Sequence, residues 1–223
     1  LLKEDPDGDI KTTSDRFWEH HTHGETSLIT PEQARGLRTT HFSFSFVRNP
    51  FDRLVAAYNN KLLEIDDVPR PMKQMGLHHG MPFPQFIDIL CRCDPEELDN
   101  HVRPQSDMLI ANDILVPKFV GRMEHINEHW HALRRRMKKE NLPALGRLPR
   151  KNIRRQGRSD ILERFNSTTL IDAILQRYAR DFEYFYSAYS VDNLLQGDQL
   201  VKHPPLQRLG SQPKNLQLYQ HTA

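Results

Sequence analysis

The sequence has little of several features that would each point to a particular class of protein. It contains only two cysteines, Cys91 and Cys93, which is too few for a disulfide framework. Their one-residue spacing on a predicted helix turns the side chains apart, so it favours neither a bridge between them nor a zinc knuckle. No apolar run is long enough to span a membrane, and no signal peptide is visible. The formal net charge of +2 provides no overall field that would demand a nucleic-acid partner.

What remains is the composition of a soluble globular protein, with 37% hydrophobic and 27% charged residues. A chain of 223 residues can form one sizeable core, and we do not expect a second full domain. Positive charge is concentrated in two runs, residues 134–139 and 147–158. Such runs are typical of solvated faces, but they also suit a surface that gathers anionic ligands. They lack interleaved aromatic residues on which bases could stack, so the sequence does not favour a nucleic-acid-binding protein.

The chain is organised around residues 40–65, where the spacing of the apolar residues changes. Phe42, Phe44 and Phe46 alternate with other residues, which predicts a strand with one apolar face. Pro50 ends this pattern, since proline cannot donate to a sheet but suits a first helical turn. Apolar residues then recur at helical spacing at Phe51, Leu54, Val55, Tyr58 and Leu62. The sequence therefore predicts a strand, a turn and a helix.

Arg48 lies at the carboxyl end of the predicted strand and just before the predicted helix. In open α/β sheets ligands bind at this edge, and a helix amino terminus attracts anions. A guanidinium group also binds phosphate or sulfate through two parallel hydrogen bonds. The sequence thus indicates an anion site at Arg48, and the alternative is an arginine that forms a salt bridge at a strand end.

The residues RNPFDRLVAAYNNK resemble the 3′-phosphate-binding motif of carbohydrate sulfotransferases that use 3′-phosphoadenosine 5′-phosphosulfate (PAPS). The motif of that family reads Arg-x-Pro-x-x-Arg-x-x-Ser-x-Tyr, and Arg48, Pro50, Arg53 and Tyr58 match it. Ala56 stands where the family has serine, so one expected hydrogen bond to the phosphate is missing. The resemblance implies an α/β fold with a P-loop-like central parallel sheet flanked by helices. It also implies that Arg48 and Arg53 bind the nucleotide.

A second segment resembles the same family and concerns the acceptor. His101-Val102-Arg103-Pro104-Gln105 is similar to the His-x-Arg-Pro-Gln segment that follows the nucleotide motif in these enzymes. The resemblance implies that His101, Arg103 and Gln105 contact the sugar, since they offer donors for its hydroxyl, carboxylate or sulfate groups. The alternative is a structural turn fixed by Pro104.

Two later segments also resemble the family. Residues 120–124 are similar to a short motif at which a strand of the family ends and a helix begins. Glu124 of this motif is expected to form a hydrogen bond with an arginine or a backbone amide. Residues 148–152 are similar to a Leu-Pro-x-x-Asn segment that leads into a basic loop. We expect Arg150 and Lys151 to lie over a phosphate of the nucleotide.

The resemblance also implies a catalytic base, because a sugar hydroxyl must lose its proton as it attacks sulfur. Residues 17–24 read FWEHHTHG, and histidine suits proton transfer near neutral pH. Related enzymes carry a catalytic histidine at a similar distance before the phosphate-binding arginine. His23 is the first candidate and His21 the second, and the alternative is that both are loop residues without a role.

A zinc hydrolase is a further alternative. Residues 125–129 match the H-x-x-E-H motif, in which two histidines one helical turn apart bind zinc. Such a site needs a third ligand elsewhere, and the sequence does not indicate one. Because no third ligand is indicated, we expect no metal. The family resemblance implies PAPS as the co-substrate.

The sequence shows no glycine-rich loop for the 5′-phosphosulfate, which this family carries upstream of the motif. The chain also lacks an initiator methionine, so we expect that its start is missing. The alternative is an inactive relative that binds a glycan or nucleotide. We expect a sulfotransferase domain over residues 1–190, with the resemblance covering residues 40–190, and a polar tail over residues 191–223.

The expected partner is a carbohydrate acceptor, with no nucleic acid. Bacterial relatives are cytoplasmic, and that is the location expected here. The alternative is the Golgi lumen, where animal relatives are held in the membrane by an N-terminal anchor that this sequence does not show.

Overall fold

The computed structural model describes residues 29–148, 158–197 and 204–206, and it begins with the short helix α1 (Pro31–Leu37). Thr30 caps this helix. Its Oγ1 accepts the backbone N–H of Gln33 at 3.2 Å, and Gln33 Oε1 accepts the N–H of Thr30 at 2.8 Å. This capping box begins the helix where the Thr-Pro-Glu sequence predicts it.

The predicted strand, turn and helix are present as β1 (Phe44–Val47) and α2 (Pro50–Tyr58). Asn49 caps α2, because its Oδ1 accepts the N–H of Phe51 at 3.1 Å. The chain then continues as a wider π-helical turn, Asn59–Leu63. The apolar residues predicted to share one face are all buried, namely Phe51, Leu54, Val55, Tyr58 and Leu62.

Short elements connect this unit to the next long strand. They are α3 (Arg70–Gln74), α4 (Phe83–Arg92), a 3-10 turn (Pro95–Glu97), α5 (Gln105–Leu109), β2 (Ile110–Ala111) and β3 (Ile114–Leu115). The hairpin between β2 and β3 turns at Asn112 and Asp113, whose φ angles are 49° and 58°. Asparagine and aspartate tolerate this left-handed conformation better than most residues.

The second strand of the parallel pair is β4 (Phe119–Arg122). It pairs with β1 so that Phe44 lies opposite Phe119 and Val47 opposite Arg122. Pro117 has no N–H to donate, and it lies between β3 and β4, which pair with different partners.

Helices follow β4. After a 3-10 turn (Met123–His125) they are α6 (Ile126–Lys139), α7 (Arg158–Arg164), α8 (Thr168–Arg177), α9 (Ala179–Tyr186) and α10 (Val191–Gln196). Among the described residues, no helix has the length and apolar character needed to cross a membrane.

The described part of the predicted tail packs on the domain. Leu194 and Leu195 of α10 are only 4% and 6% exposed and belong to the main core. Leu206 exchanges two backbone hydrogen bonds with Val120 of β4, each 3.0 Å long. Structure therefore continues past residue 190, where the sequence predicts a polar tail.

The parallel pair is covered by helices on both faces. The larger core cluster includes Val47 and Val120 together with side chains from α2, α4, α8 and α9. The smaller cluster, on the opposite face, joins Phe46 and Phe119 to Leu133 of α6. Successive strand residues point to opposite faces, so neighbours such as Phe46 and Val47 enter different clusters. The α/β prediction of a parallel sheet flanked by helices is confirmed.

Candidate functional site

The carboxyl ends of β1 and β4 meet at one edge of the parallel pair. Val47 and Arg122 lie opposite each other at the two strand ends, and helix α2 begins at this edge. Arg48 is half-buried between the end of β1 and the start of α2. The structure thus places Arg48 at the edge that the sequence predicts for an anion site.

Gln105 joins the predicted acceptor segment to the predicted nucleotide motif. Its Oε1 accepts the backbone N–H of Arg48 at 2.8 Å, and its Nε2 donates to the backbone carbonyl of Arg48 at 2.8 Å. The side chain is only 6% exposed. Its two polar atoms are engaged inside the protein, which favours a positioning role over the sugar contact that the sequence predicts for Gln105.

Arg53 links the same two segments from helix α2. Its Nη1 donates to the carbonyl of Arg103 at 2.5 Å, and its Nη2 donates to the carbonyl of Asn100 at 2.7 Å. Burial lowers the pKa of Arg53, although the negative charges of nearby acidic groups act in the opposite direction. Arg53 and Ala56 are half-buried, whereas the other residues of α2 are buried. They therefore share the accessible face of the helix, as the motif requires.

His101 lies on the surface, with a side chain that is 50% exposed. Its Nδ1 is 2.7 Å from Asp99 Oδ1, and the same oxygen accepts the N–H of His101 at 2.8 Å. Burial acts to raise the pKa of Asp99, but the hydrogen bonds from His101 outweigh it and the pKa is lowered. An ionised Asp99 orients the His101 ring and leaves its Nε2 as the ring atom facing away from this contact.

Arg103 is half-buried beside the same segment. Its Nη2 donates to the carbonyl of Glu96 at 2.8 Å. Its Nε is buried and has no hydrogen-bond partner among the described residues. Of the three residues predicted to bind the acceptor, His101 is exposed and Arg103 retains an unpartnered donor, whereas the polar atoms of Gln105 are engaged.

Glu124 fixes the turn between β1 and α2. Its Oε1 accepts the N–H of Asn49 at 2.5 Å, and its Oε2 accepts the hydroxyl of Tyr186 at 3.2 Å. Burial raises the pKa of Glu124. The expected structural role is confirmed, because the partner is a backbone amide. Asn49 itself donates from Nδ2 to the carbonyl of Leu194 at 2.8 Å, so α10 also holds this turn.

The sequence did not point to Asp181, a fully buried residue of α9. Its Oδ2 accepts the backbone N–H of Gln105 at 2.9 Å, and its Oδ1 accepts the N–H of Ser106 at 2.7 Å. Its Oδ2 also lies 3.3 Å from Gln105 Nε2. An acidic residue in the first turn of a helix is common, so this position carries no distinguishing signal in the sequence.

The histidine pair of the zinc alternative takes part in the fold. His129 Nδ1 accepts the backbone N–H of Arg122 at 2.7 Å, and His125 Nε2 lies 3.3 Å from the hydroxyl of Tyr189. Both rings are buried, whereas Glu128 is exposed. In the part of the chain that is described, no three side chains of His, Cys, Asp or Glu are grouped to hold a metal ion. This arrangement does not favour the zinc hydrolase.

A family model described as the Sulfotransferase family matches residues 2–187. The chain belongs to this family. Carbohydrate sulfotransferase 14 of Mus musculus and that of Homo sapiens are each 33% identical to it over 88 residues, a match that covers 34% of this chain. The match covers 23% of each relative, so the chain corresponds to about a quarter of the length of these proteins. No solved structure matches the chain.

The described residues include part of the predicted site. They include Arg48, Arg53, His101, Arg103 and Gln105, and hydrogen bonds join Arg48 to Gln105 and Arg53 to Arg103. The candidate bases His21 and His23 lie outside the described residues, as do Arg150 and Lys151. The roles assigned to these four residues remain predictions.

Proposed function

We propose that the chain belongs to an enzyme that transfers a sulfuryl group from PAPS to a hydroxyl of a carbohydrate. The observation that carries the proposal is the position of Arg48 at the start of α2. There the side chain of Gln105 forms hydrogen bonds with both the N–H and the carbonyl group of Arg48. Two segments that resemble the nucleotide motif and the acceptor motif thereby meet at the ligand-binding edge of a parallel sheet. Membership of the sulfotransferase family supports the reaction type.

The donors at this edge fit an anionic nucleotide. Arg48 would bind the 3′-phosphate through its guanidinium group, next to the positive end of the α2 dipole. Ala56 offers no hydrogen bond, although it shares the accessible face of α2 with Arg53. Arg150 and Lys151 would add positive charge over the phosphates.

PAPS supplies a sulfuryl group on a phosphate that leaves readily. In the proposed reaction the sugar oxygen forms a bond to sulfur, and the bond between sulfur and the phosphate oxygen breaks with its electrons remaining on the phosphate. His23, or His21 in its place, takes the proton of the attacking hydroxyl. Arg48 and the neighbouring basic groups balance the negative charge of the nucleotide, so positioning and electrostatics supply most of the catalysis.

A carbohydrate acceptor is supported by the similarity to two carbohydrate sulfotransferases. The exposed ring of His101 and the half-buried side chain of Arg103 would face such an acceptor beside the nucleotide. Because both relatives are animal proteins, the similarity favours the Golgi lumen over the cytoplasm as the location.

Ala56 favours a second candidate function, a relative that binds the nucleotide or a glycan without turnover. The missing hydroxyl removes one hydrogen bond to the phosphate, and a nucleotide that is held less firmly would not be placed for sulfuryl transfer. Incubation with PAPS that is radiolabelled in its sulfuryl group, together with a panel of glycans, separates the two functions. The label reaches a glycan if the protein is a sulfotransferase, and it stays on the nucleotide if the protein only binds.

Calorimetric titration of 3′-phosphoadenosine 5′-phosphate (PAP) into the 223-residue chain tests the nucleotide site. We expect binding that weakens by about tenfold or more in Arg48→Ala and that tightens by severalfold in Ala56→Ser, as for hydrogen bonds to a charged group. Arg70→Ala is the matched control, because Arg70 is exposed and follows the far end of the α2 helix. If neither the native chain nor Ala56→Ser binds PAP, the nucleotide proposal fails.

A further inference from the structure

We propose that Asp181 is a positioning residue for the nucleotide site, and that it acts through the side chain of Gln105 on the peptide of Arg48. This role presupposes that Arg48 binds the nucleotide as proposed above. It extends the site to α9, which lies more than 130 positions along the chain from Arg48. The Gln105 side chain lies 2.8 Å from the N–H of Arg48 and 3.3 Å from Asp181 Oδ2. Gln105 and Asp181 are buried, and Arg48 is half-buried.

The contact between Gln105 and Arg48 requires one orientation of the Gln105 amide. The oxygen must face the N–H of Arg48, and the NH₂ group must face the carbonyl of Arg48. If the amide were rotated by half a turn, two donors would face each other and two acceptors would face each other. A residue that reinforces this orientation therefore strengthens both hydrogen bonds.

Asp181 reinforces this orientation. Both oxygens of the Asp181 side chain accept backbone N–H groups, so the atom of Gln105 that lies 3.3 Å from Oδ2 is the donor Nε2. The carboxylate is itself held in place, because it accepts the backbone N–H groups of Gln105 and Ser106 at 2.9 Å and 2.7 Å. Asp181 thus fixes both the backbone and the amide orientation of Gln105.

The segment that contains Gln105 is held from two sides. Arg53 of α2 binds the carbonyls of Asn100 and Arg103, and Asp181 of α9 binds the N–H groups just after them. The negative charge of Asp181 also acts on Arg53, whose pKa it raises against the effect of burial. The segment therefore has little freedom to move, and Gln105 transmits its position to the peptide that carries the Arg48 side chain.

The direct test compares Asp181→Asn with the native chain by PAP titration and by NMR of the backbone amides. An asparagine replaces one of the two carboxylate oxygens by an NH₂ group, so either Gln105 or Ser106 loses its acceptor and the Gln105 amide is held less firmly. We expect PAP to bind about tenfold more weakly and the amide signals of Arg48 and Gln105 to shift. Asp181→Glu, which keeps the carboxylate, should recover part of the affinity. Asp107→Asn is the matched control, since Asp107 lies exposed on the same short helix as Gln105.

A double-mutant cycle separates positioning from a general loss of stability. In the Gln105→Met background Asp181 has no amide to orient, so Asp181→Asn should change PAP affinity by less than about twofold while it still lowers the melting temperature. A purely structural role would instead give the same loss of affinity in both backgrounds. That result would overturn the proposal.

The outcomes also distinguish this role from the proposed function. If the native chain binds PAP and Asp181→Asn binds it equally well, the positioning role is wrong and the nucleotide site stands. If no form of the chain binds PAP, the nucleotide proposal fails, and the NMR comparison alone decides whether Asp181 orients the Arg48 peptide. If Asp181→Asn does not fold, the test is hydrogen exchange of the Gln105 side-chain NH₂ group in the native chain. Slow exchange supports the hydrogen bonds from this group to Arg48 and Asp181. Exchange at the rate of a free amide overturns them.

Discussion

The aromatic ring of Phe46 lies against the backbone of Gly121, its partner in the parallel pairing of β1 with β4. A Cβ atom on Gly121 would come within 2.9 Å of the ring carbon Cζ, and it would lie closer still to Cε1 and Cδ1. The ring also contacts Phe119 and Trp130, with ring centroids 6.2 Å and 6.0 Å away. Phe46 therefore covers the glycine and fills the space that a side chain would occupy.

Gly121→Ala is expected to destabilise the protein by about 1–3 kcal/mol, because the ring of Phe46 must move out of a packed cluster. Urea unfolding followed by circular dichroism measures the change. Gly36→Ala is the matched control, since no described atom lies within 4 Å of a Cβ built on Gly36 and alanine suits a helix. Replacing Phe46 by leucine in the Gly121→Ala background should recover part of the lost free energy of unfolding. If the effects of the two substitutions on this free energy simply add, the steric explanation is contradicted.

Arg53→Met is expected to lower the free energy of unfolding by about 2 kcal/mol, because two backbone carbonyls lose a charged donor. The methionine retains much of the apolar stem, so the change reports mainly on the hydrogen bonds. Urea unfolding again provides the measurement, with the exposed Arg70→Met as the control. A variant as stable as the native chain that has nevertheless lost PAP binding would show that Arg53 serves the ligand alone.

Glu124 should make the stability of the protein depend on pH. Burial raises its pKa above the ordinary value of about 4.3, so the folded protein binds the proton more tightly than the unfolded chain does. The contribution of Glu124 to the free energy of unfolding therefore falls as pH rises from the ordinary value through the raised one. Glu124→Gln does not titrate and retains an acceptor for the N–H of Asn49.

The test is urea unfolding of the native chain and Glu124→Gln between about pH 4.5 and 8. The stability of the variant relative to the native chain should increase with pH across this range. Glu128→Gln serves as the control, because Glu128 is an exposed carboxylate on the next helix and its replacement should leave the pH dependence unchanged. A constant difference between Glu124→Gln and the native chain would contradict the raised pKa.

Helix α10 should contribute to stability although the sequence predicts a tail there. Leu194→Ala and Leu195→Ala are each expected to lower the free energy of unfolding by about 2–3 kcal/mol, as for leucines removed from a core. Truncation after residue 190 should cost more than either substitution, since Asn49 also loses the carbonyl of Leu194. Asp192→Ala, at an exposed position of the same helix, is the control. A truncated chain that unfolds at the same urea concentration would refute this contribution.

The elements that the sequence predicts correctly are those with a clear local pattern. The alternation around Phe44 and Phe46, the helix signal at Pro50 and the helical spacing from Phe51 onwards depend only on neighbouring residues. The position of Arg48 follows from them. The capping box at Thr30 is equally local, because its partner is three residues away.

The contacts that shape the site were not predictable in the same way. Gln105 meets Arg48 across 57 positions of the chain, and Asp181 meets Gln105 across 76. No periodicity indicates which polar side chain will satisfy which distant backbone group. Helix α10 was missed for a related reason: it is six residues long, and its buried Leu194-Leu195 pair stands among polar neighbours.

The turn at Asn49 depends on parts of the chain that are made much later. Its N–H binds Glu124, 75 positions further on, and its side chain binds the carbonyl of Leu194, 145 positions further on. Contacts between distant positions require large loops to close first, and they slow folding. On the ribosome the strand and helix around Arg48 therefore emerge well before Leu194, and their connecting turn gains this partner only when residue 194 has been synthesised.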